Sequence, residues 1–276
     1  MPETTAGLTV SEALRLATAR LSQAGCDTPR LDSELLLGAA LGVGRERLVM
    51  EAGKGVAPDA LAGFEKLLAR RVRREPVAYI LGRREFRRIT LGVDRRVLIP
   101  RPETELLVEV GCSLPAGARV VDVGTGSGAI ALALKDERPD LDVWATDVSA
   151  EALAVARANG EALGLEVGWR EADLLDGLPG GFDAVLANLP YVAEGEALAP
   201  EIERYEPPGA LLAGPDGLGV IRRLTARVGG VRLVALEVGA GQADPVSRLV
   251  REAGLASVET LRDLAGHERV VVGRTA

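Results

Sequence analysis

Arg119-Val120-Val121-Asp122-Val123-Gly124-Thr125-Gly126-Ser127-Gly128-Ala129-Ile130-Ala131 reads as a buried strand, a glycine-rich turn and the opening of a helix. In this geometry the backbone approaches a ligand closely and the helix N-terminus offers unpaired N–H groups. Outward from that stretch, from about Glu103 onward, helical and strand periods alternate, which predicts a doubly wound α/β sheet. Strands are expected at 119–123, 143–146, 182–187, 232–238, 257–261 and 269–273. Helices are expected from Ala129, from Ser149 as its cap, and over 218–228 and 245–253. The last two strands follow each other without a helix between them, so one should run antiparallel.

Upstream of Pro76 the helix-entry signals recur and strand alternation does not. Thr9-Val10-Ser11-Glu12 has capping-box spacing, with Leu14, Ala17 and Leu21 following on one face. Thr28-Pro29 is an N-cap candidate with proline at the first helical position. Leu31, Leu35 and Leu36 then recur until Gly42. A shorter helix is expected around Arg45 to Glu51. Pro58 opens another, with Leu61, Phe64, Leu67, Leu68 and Val72 at helical spacing until Pro76 forbids continuation. Between Pro76 and Pro100, Tyr79-Ile80-Leu81, Glu85-Phe86, Ile89-Thr90-Leu91 and Val97-Leu98-Ile99 predict short strands in a hairpin linker.

The chain of 276 residues has ample apolar content for one large or two unequal cores. It has no run of about 18 apolar residues, as a membrane helix needs. Met1-Pro2-Glu3-Thr4 lacks a leader's layout, so a cytoplasmic protein is expected. Cys26 and Cys112 suggest reduced thiols, and no metal site is expected. The net charge of -7 is uneven: the first hundred residues carry 17 basic and 12 acidic side chains, the remainder 16 and 28. Much of the excess lies in Arg70, Arg71, Arg73, Arg74, Arg83, Arg84, Arg87, Arg88, Arg95 and Arg96. This strip reads either as a solvated face or as a docking surface for an acidic or nucleic-acid-bearing partner.

Gly124, Gly126 and Ala129 satisfy the G-x-G-x-x-G/A pattern of dinucleotide enzymes, so glycine alone does not decide the cofactor. No proton relay suited to a nicotinamide enzyme accompanies it. The G-x-G-x-G form, with Thr125, Ser127 and Gly128, fits S-adenosylmethionine better. Asp147, about twenty positions on, is placed for ribose hydroxyls. Asp122 would approach the cofactor's amino acid end, or else cap the loop backbone. Asp173 and Leu174 would reach the adenine, with a surface acid as the alternative reading of Asp173. Asn188-Leu189-Pro190-Tyr191 follows an apolar strand and suggests methyl transfer to a planar nitrogen. The Asn188 side-chain oxygen and the Leu189 carbonyl would accept the N–H hydrogens and so localise the lone pair; Pro190 stiffens the turn and Tyr191 holds the flat acceptor.

At these residues the chain resembles the peptide-chain release factor glutamine methyltransferases, the HemK or PrmC family. The likeness extends through Leu98-Ile99-Pro100-Arg101-Pro102-Glu103-Thr104-Glu105, Tyr205-Glu206-Pro207-Pro208, Asp216-Gly217-Leu218 and Asp263-Leu264-Ala265-Gly266-His267-Glu268-Arg269. It implies a helical substrate-docking domain over 1–76, a β-hairpin linker over 77–102 and a Rossmann-like class I methyltransferase domain over 103–276. The implied substrate is the glutamine of the Gly-Gly-Gln loop in class-1 release factors, with S-adenosylmethionine as methyl donor. Leu189 departs from the family's Asn-Pro-Pro-Tyr, keeping the carbonyl and losing stiffness. A ribosomal-protein glutamine is the nearer alternative. An adenine in nucleic acid is the further one, disfavoured by the acidic catalytic part. A cofactor-binding scaffold without turnover is the non-enzymatic reading.

Overall fold

A computed structural model describes residues 8–275; the start on which the absence of a leader was read lies outside the described residues. In chain order the elements begin α1 (Val10–Gln23), α2 (Pro29–Leu41), α3 (Arg45–Met50), α4 (Pro58–Val72), α5 (Val77–Leu81), β1 (Arg83–Phe86), β2 (Ile89–Gly92) and α6 (Glu105–Cys112). Then follow β3 (Arg119–Val123), α7 (Ala129–Glu137), β4 (Asp142–Asp147), α8 (Ala150–Leu163), β5 (Gly168–Glu171) and β6 (Ala184–Ala187). The chain ends with α9 (Pro200–Tyr205), α10 (Gly219–Thr225), β7 (Leu233–Glu237), α11 (Ala243–Glu252), β8 (Ser257–Arg262) and β9 (Glu268–Arg274). Two compact units result: one ends at Gly82 and takes in Ala199–Tyr205, and the other comprises Arg83–Leu198 and the chain from Glu206.

In the helical unit the capping box of α1 forms as its spacing predicts, with the Glu12 N–H donating to Thr9 and the Thr9 N–H to the Glu12 carboxylate. The apolar stripe predicted for α2 is displaced. Leu31 is exposed, while Asp32 and Ser33 are buried, and the Thr28 hydroxyl donates to Asp32 at 2.8 Å instead of capping a backbone N–H. The cause is Arg71, which α4 buries against Asp32 at 2.7 Å and against Glu201 of α9 at 2.9 Å. Arg74 binds the other Glu201 oxygen at 2.6 Å. Burial lowers the basicity of the Arg71 guanidinium, but these carboxylates more than offset it.

Tyr79-Ile80-Leu81, expected as a strand, is the helix α5. Gly82 closes it in the left-handed conformation, and Arg70 donates to the carbonyls of Tyr79 and Ile80 at the helix end. The hairpin therefore begins at Arg83, where β1 and β2 pair antiparallel. Val97-Leu98-Ile99 forms no strand: the Val97 N–H closes a turn onto Asp94, and the Ile99 N–H donates to the Glu206 carboxylate. The arginine strip is largely occupied within each unit, with Arg70 on Glu75, Arg87 on Glu137 and Arg96 on Asp94. Arg96 nevertheless remains exposed, as do Arg73, Arg83, Arg88 and Arg95.

The second unit carries a seven-stranded sheet of order β5-β4-β3-β6-β7-β9-β8. The first five are parallel, and β9 runs antiparallel to both neighbours, as the missing helix between the last two strands predicts. This is the Rossmann-like architecture expected. Successive residues of β3 feed opposite faces: Val120 packs with Leu107, Leu132 and Leu134, and Val121 and Val123 with Leu224 and Val246. The sequence reading missed β5 and α9, both short and rich in charge. Strand order reverses between β3 and β6, where an open α/β sheet leaves a crevice beyond its carboxyl ends.

Arg71→Ala should destabilise the protein by about 3–5 kcal/mol in urea unfolding, because it strands a buried carboxylate. Arg88→Ala, whose partner Asp136 is 3.9 Å away at the surface, should change stability by less than about 0.5 kcal/mol.

Candidate functional site

A cavity of about 370 Å³ opens in the second unit at that crevice. Residues 124–127 of the glycine turn line it, with Asp147, Asp173, Leu174, Asn188, Leu189 and Pro190. Val97 and Leu98 also contribute to its wall, which accounts for an apolar run that pairs with no strand.

The turn is held from below. Gly124, Gly126 and Gly128 all have positive φ (73°, 55° and 84°), a conformation costly for residues with a Cβ. The N–H groups of Gly124 and Thr125 both donate to the Thr146 carbonyl. A Cβ at Gly128 would lie 2.9 Å from a Leu132 methyl, whereas one at Gly126 would meet nothing within 4 Å. Gly128 is thus required by packing as well as conformation, and Gly126 faces open space on the cavity wall.

Asp122 does not line the cavity. It is buried beneath the turn, where one carboxylate oxygen accepts from the Thr125 hydroxyl at 2.6 Å and the Ala131 N–H at 3.2 Å. Of its two readings, loop capping is the one the contacts support. The other oxygen is buried without a protein partner, and burial pushes the carboxyl up to about 7.

Asp147 closes β4 and accepts from the N–H groups of Gly126 and Ser149, each at 2.9 Å. Burial raises its pKa despite these bonds. Each oxygen keeps a lone pair for a further donor. Asp173 borders the cavity but is ion-paired to Arg223, which competes with the adenine contact expected of it. Leu174 is buried with φ of 60° and is held by the Thr146 hydroxyl on its carbonyl at 2.9 Å.

Asn188 is the first residue beyond β6. Its amide nitrogen donates to the Thr104 hydroxyl at 3.0 Å, and that hydroxyl donates to Glu237 at 2.6 Å. Leu189 is buried in the core cluster with Val121 and Val123; its methyl would be 3.0 Å from a Cβ at Gly124. The stiffness lost with the family's proline is therefore supplied in part by packing. Tyr191 is not among the residues that line the cavity; its carbonyl accepts from Gln242 at 2.9 Å and its hydroxyl is 3.5 Å from Glu237. Burial, with Glu237 nearby, pushes its phenol up to about 12.

Three contributors escaped the sequence reading. Thr104 and Glu237 form a hydrogen-bonded chain to Asn188, and buried Asn159 ties the glycine turn to the hairpin through the Ser127 carbonyl and both backbone groups of Gly92. An acid closing the otherwise apolar Leu233-Val234-Ala235-Leu236 strand was the visible signal for Glu237. Asn159 offered none, since polar residues on a helix are ordinarily solvated.

Asp122 binds its proton more tightly folded than unfolded, so its contribution to stability is full below its ordinary value of 3.8 and is lost as pH rises to about 7. Asp122→Asn should therefore gain stability relative to the parent between pH 5 and pH 8. Urea midpoints at both pH values check this, and an unchanged pH slope would contradict it.

Residues 12–82 match the family model described as the PrmC N-terminal domain, and residues 102–204 match the methyltransferase small domain. The release factor glutamine methyltransferase of Caulobacter vibrioides is 41% identical, covering 96% of each chain. That of Cereibacter sphaeroides is 43% identical over 96% of this chain and 98% of its own. Among solved structures, a methyltransferase from Pyrococcus furiosus shares the fold, with TM-score 0.51 at 18% identity over 67% of this chain and 88% of its own. With identity of this level over nearly the whole of both chains, the protein belongs to the release factor glutamine methyltransferase family.

Proposed function

We propose that this protein transfers the methyl group of S-adenosylmethionine to the side-chain amide nitrogen of the glutamine in the Gly-Gly-Gln motif of class-1 release factors. The observation that carries the reading is the Asn188 carboxamide, held through its nitrogen at the wall of the cavity that the glycine turn lines. Its oxygen is thereby left to accept a hydrogen from a substrate amide.

The residues fit the methyl donor. Open space at Gly126 admits a ligand against the backbone, Asp147 keeps lone pairs for ribose hydroxyls, and the unpartnered oxygen of Asp122 lies under the turn. When bound, the donor supplies an activated methyl on a sulfonium leaving group. The chain's own part is orientation. Asn188 Oδ1 and the Leu189 carbonyl accept the two amide hydrogens, so the nitrogen lone pair is localised and aimed. Alignment at about 3–3.5 Å can then supply much of the rate without a strong base.

In this reading the helical unit through Gly82 docks the protein substrate, the hairpin from Arg83 links, and the sheet domain carries the chemistry. The work belongs to the cytoplasm, where release factors act. Among the described residues no helix is long and apolar enough to cross a membrane.

Labelled methyl should pass to a purified class-1 release factor and not to its Gly-Gly-Ala variant, a ribosomal protein fraction or adenine-containing DNA. Label on another sample alone would overturn the substrate assignment. Asn188→Ala should lower kcat by about 100-fold or more and leave donor affinity within a few-fold. Gly126→Ala should weaken donor binding at least tenfold in calorimetry, by placing a methyl where the cofactor lies. Its cost in stability should stay near the roughly 1–2 kcal/mol of a left-handed alanine.

A further inference from the structure

Thr104 and Glu237 sit on opposite sides of the reading just given: one borders the cavity, the other is buried at the end of β7. When Glu237 is ionised, the hydrogen-bond inventory fixes the direction of the chain between them. An ionised carboxylate only accepts, so at 2.6 Å the Thr104 hydroxyl must give its proton to Glu237. The Thr104 oxygen then has only lone pairs left for Asn188, 3.0 Å away, and the Asn188 end that meets it must be the NH₂. The carbonyl end is turned the other way.

We propose that Glu237 is a positioning residue for methyl transfer: through the Thr104 hydroxyl, its carboxylate sets which end of the Asn188 carboxamide is presented to the substrate amide. The proposal rests on Asn188 Oδ1 being the acceptor for a substrate N–H. An asparagine amide is nearly symmetric in shape, and packing alone discriminates poorly between its two ends. Presented the wrong way round, its NH₂ would face the substrate's NH₂, donor against donor. A protonated Glu237 could donate to Thr104, free that hydroxyl to donate to Asn188 Oδ1 and stabilise the reversed amide.

The ionisation of Glu237 is delicately set. Burial, only partly opposed by the Thr104 bond and by the charges of Arg269 and Arg101 and reinforced by Glu103, pushes its carboxyl up to about 7. The Tyr191 hydroxyl faces its other oxygen at 3.5 Å. The chain direction should accordingly change within the physiological range.

The test uses the full-length protein with a Gly-Gly-Gln release factor. Thr104→Val, close in shape and without the hydroxyl, should lower kcat about 10–100-fold, as loss of a group that orients a ligand commonly does, with KM and donor affinity within about threefold. Thr104→Ser should recover most of the loss. The parent's kcat should fall with acidification through about pH 7, and Glu237→Gln should lose that limb. Independently of turnover, the Asn188 side-chain amide resonances of the unloaded parent should shift as Glu237 titrates, a measurement that needs no variant to fold. Full kcat in a folded Thr104→Val, or Asn188 resonances insensitive to pH between 6 and 8, would overturn the proposal. A parent inert toward the release factor would overturn the substrate reading instead, and the resonance titration would still decide the orientation of Asn188.

Discussion

Two neighbouring parallel strands, β3 and β6, send their chains away in opposite directions, and the gap this leaves governs the rest of the site. The register that pairs Asp122 with Leu186 carries forward to Gly124 beside Asn188, whose carbonyl oxygen would stand 4.0 Å from a Cβ at Gly124. The residue that begins the glycine turn and the residue that presents the carboxamide are therefore neighbours by strand pairing, before any loop conformation is considered. In the proposed reaction, methyl donor and acceptor would meet in the crevice that opens at this reversal of strand order. A Cβ at Gly124 would press on a Leu189 methyl at 3.0 Å, so the turn and the tetrapeptide pack directly against each other.

Two buried carboxyl groups support this arrangement from beneath, at a cost to stability that hydrogen bonding only partly offsets. Asp122 fixes the turn through Thr125 and Ala131, and Glu237 fixes Asn188 through Thr104. Burial raises the pKa of both toward neutrality. Apolar residues of similar size would pack at less cost, but they would leave the turn and the carboxamide without a defined orientation. Local destabilisation of this kind is characteristic of sites where geometry matters more than cohesion.

Much of this was legible in the sequence, for identifiable reasons. Long apolar periods and capping residues report on local structure, so α1, α4, α7, β3 and the antiparallel β9 could be placed from their own residues. The sequence also placed the glycine turn and Asn188 to Pro190 where they line one cavity, because close backbone approach demands glycine and a strand end demands a turn. What stayed hidden depends on partners distant in the chain. The strand expected at 79–81 becomes a helix because Arg70 satisfies its last carbonyls. Asp32 is buried because Arg71 reaches it, and Asp122 serves the turn because Thr125 and Ala131 face it. Thr104 gains its role from Glu237, 133 positions further along the chain, a separation over which no periodicity speaks.

The membership of α9 in the helical unit bears on synthesis. Arg71 and Arg74 emerge from the ribosome with the N-terminal helices, but Glu201, which binds both, follows Arg74 by 127 residues. At 5–20 residues per second that interval is roughly 6 to 25 s. During it Asp32 is Arg71's only carboxylate partner among the described residues, and Arg74 has none of the α9 contacts that later hold it. The helical unit thus cannot reach its final electrostatic state until the chain through Glu201 has been made. A nascent chain arrested anywhere before residue 199 carries a helical bundle with one of its closing pieces missing.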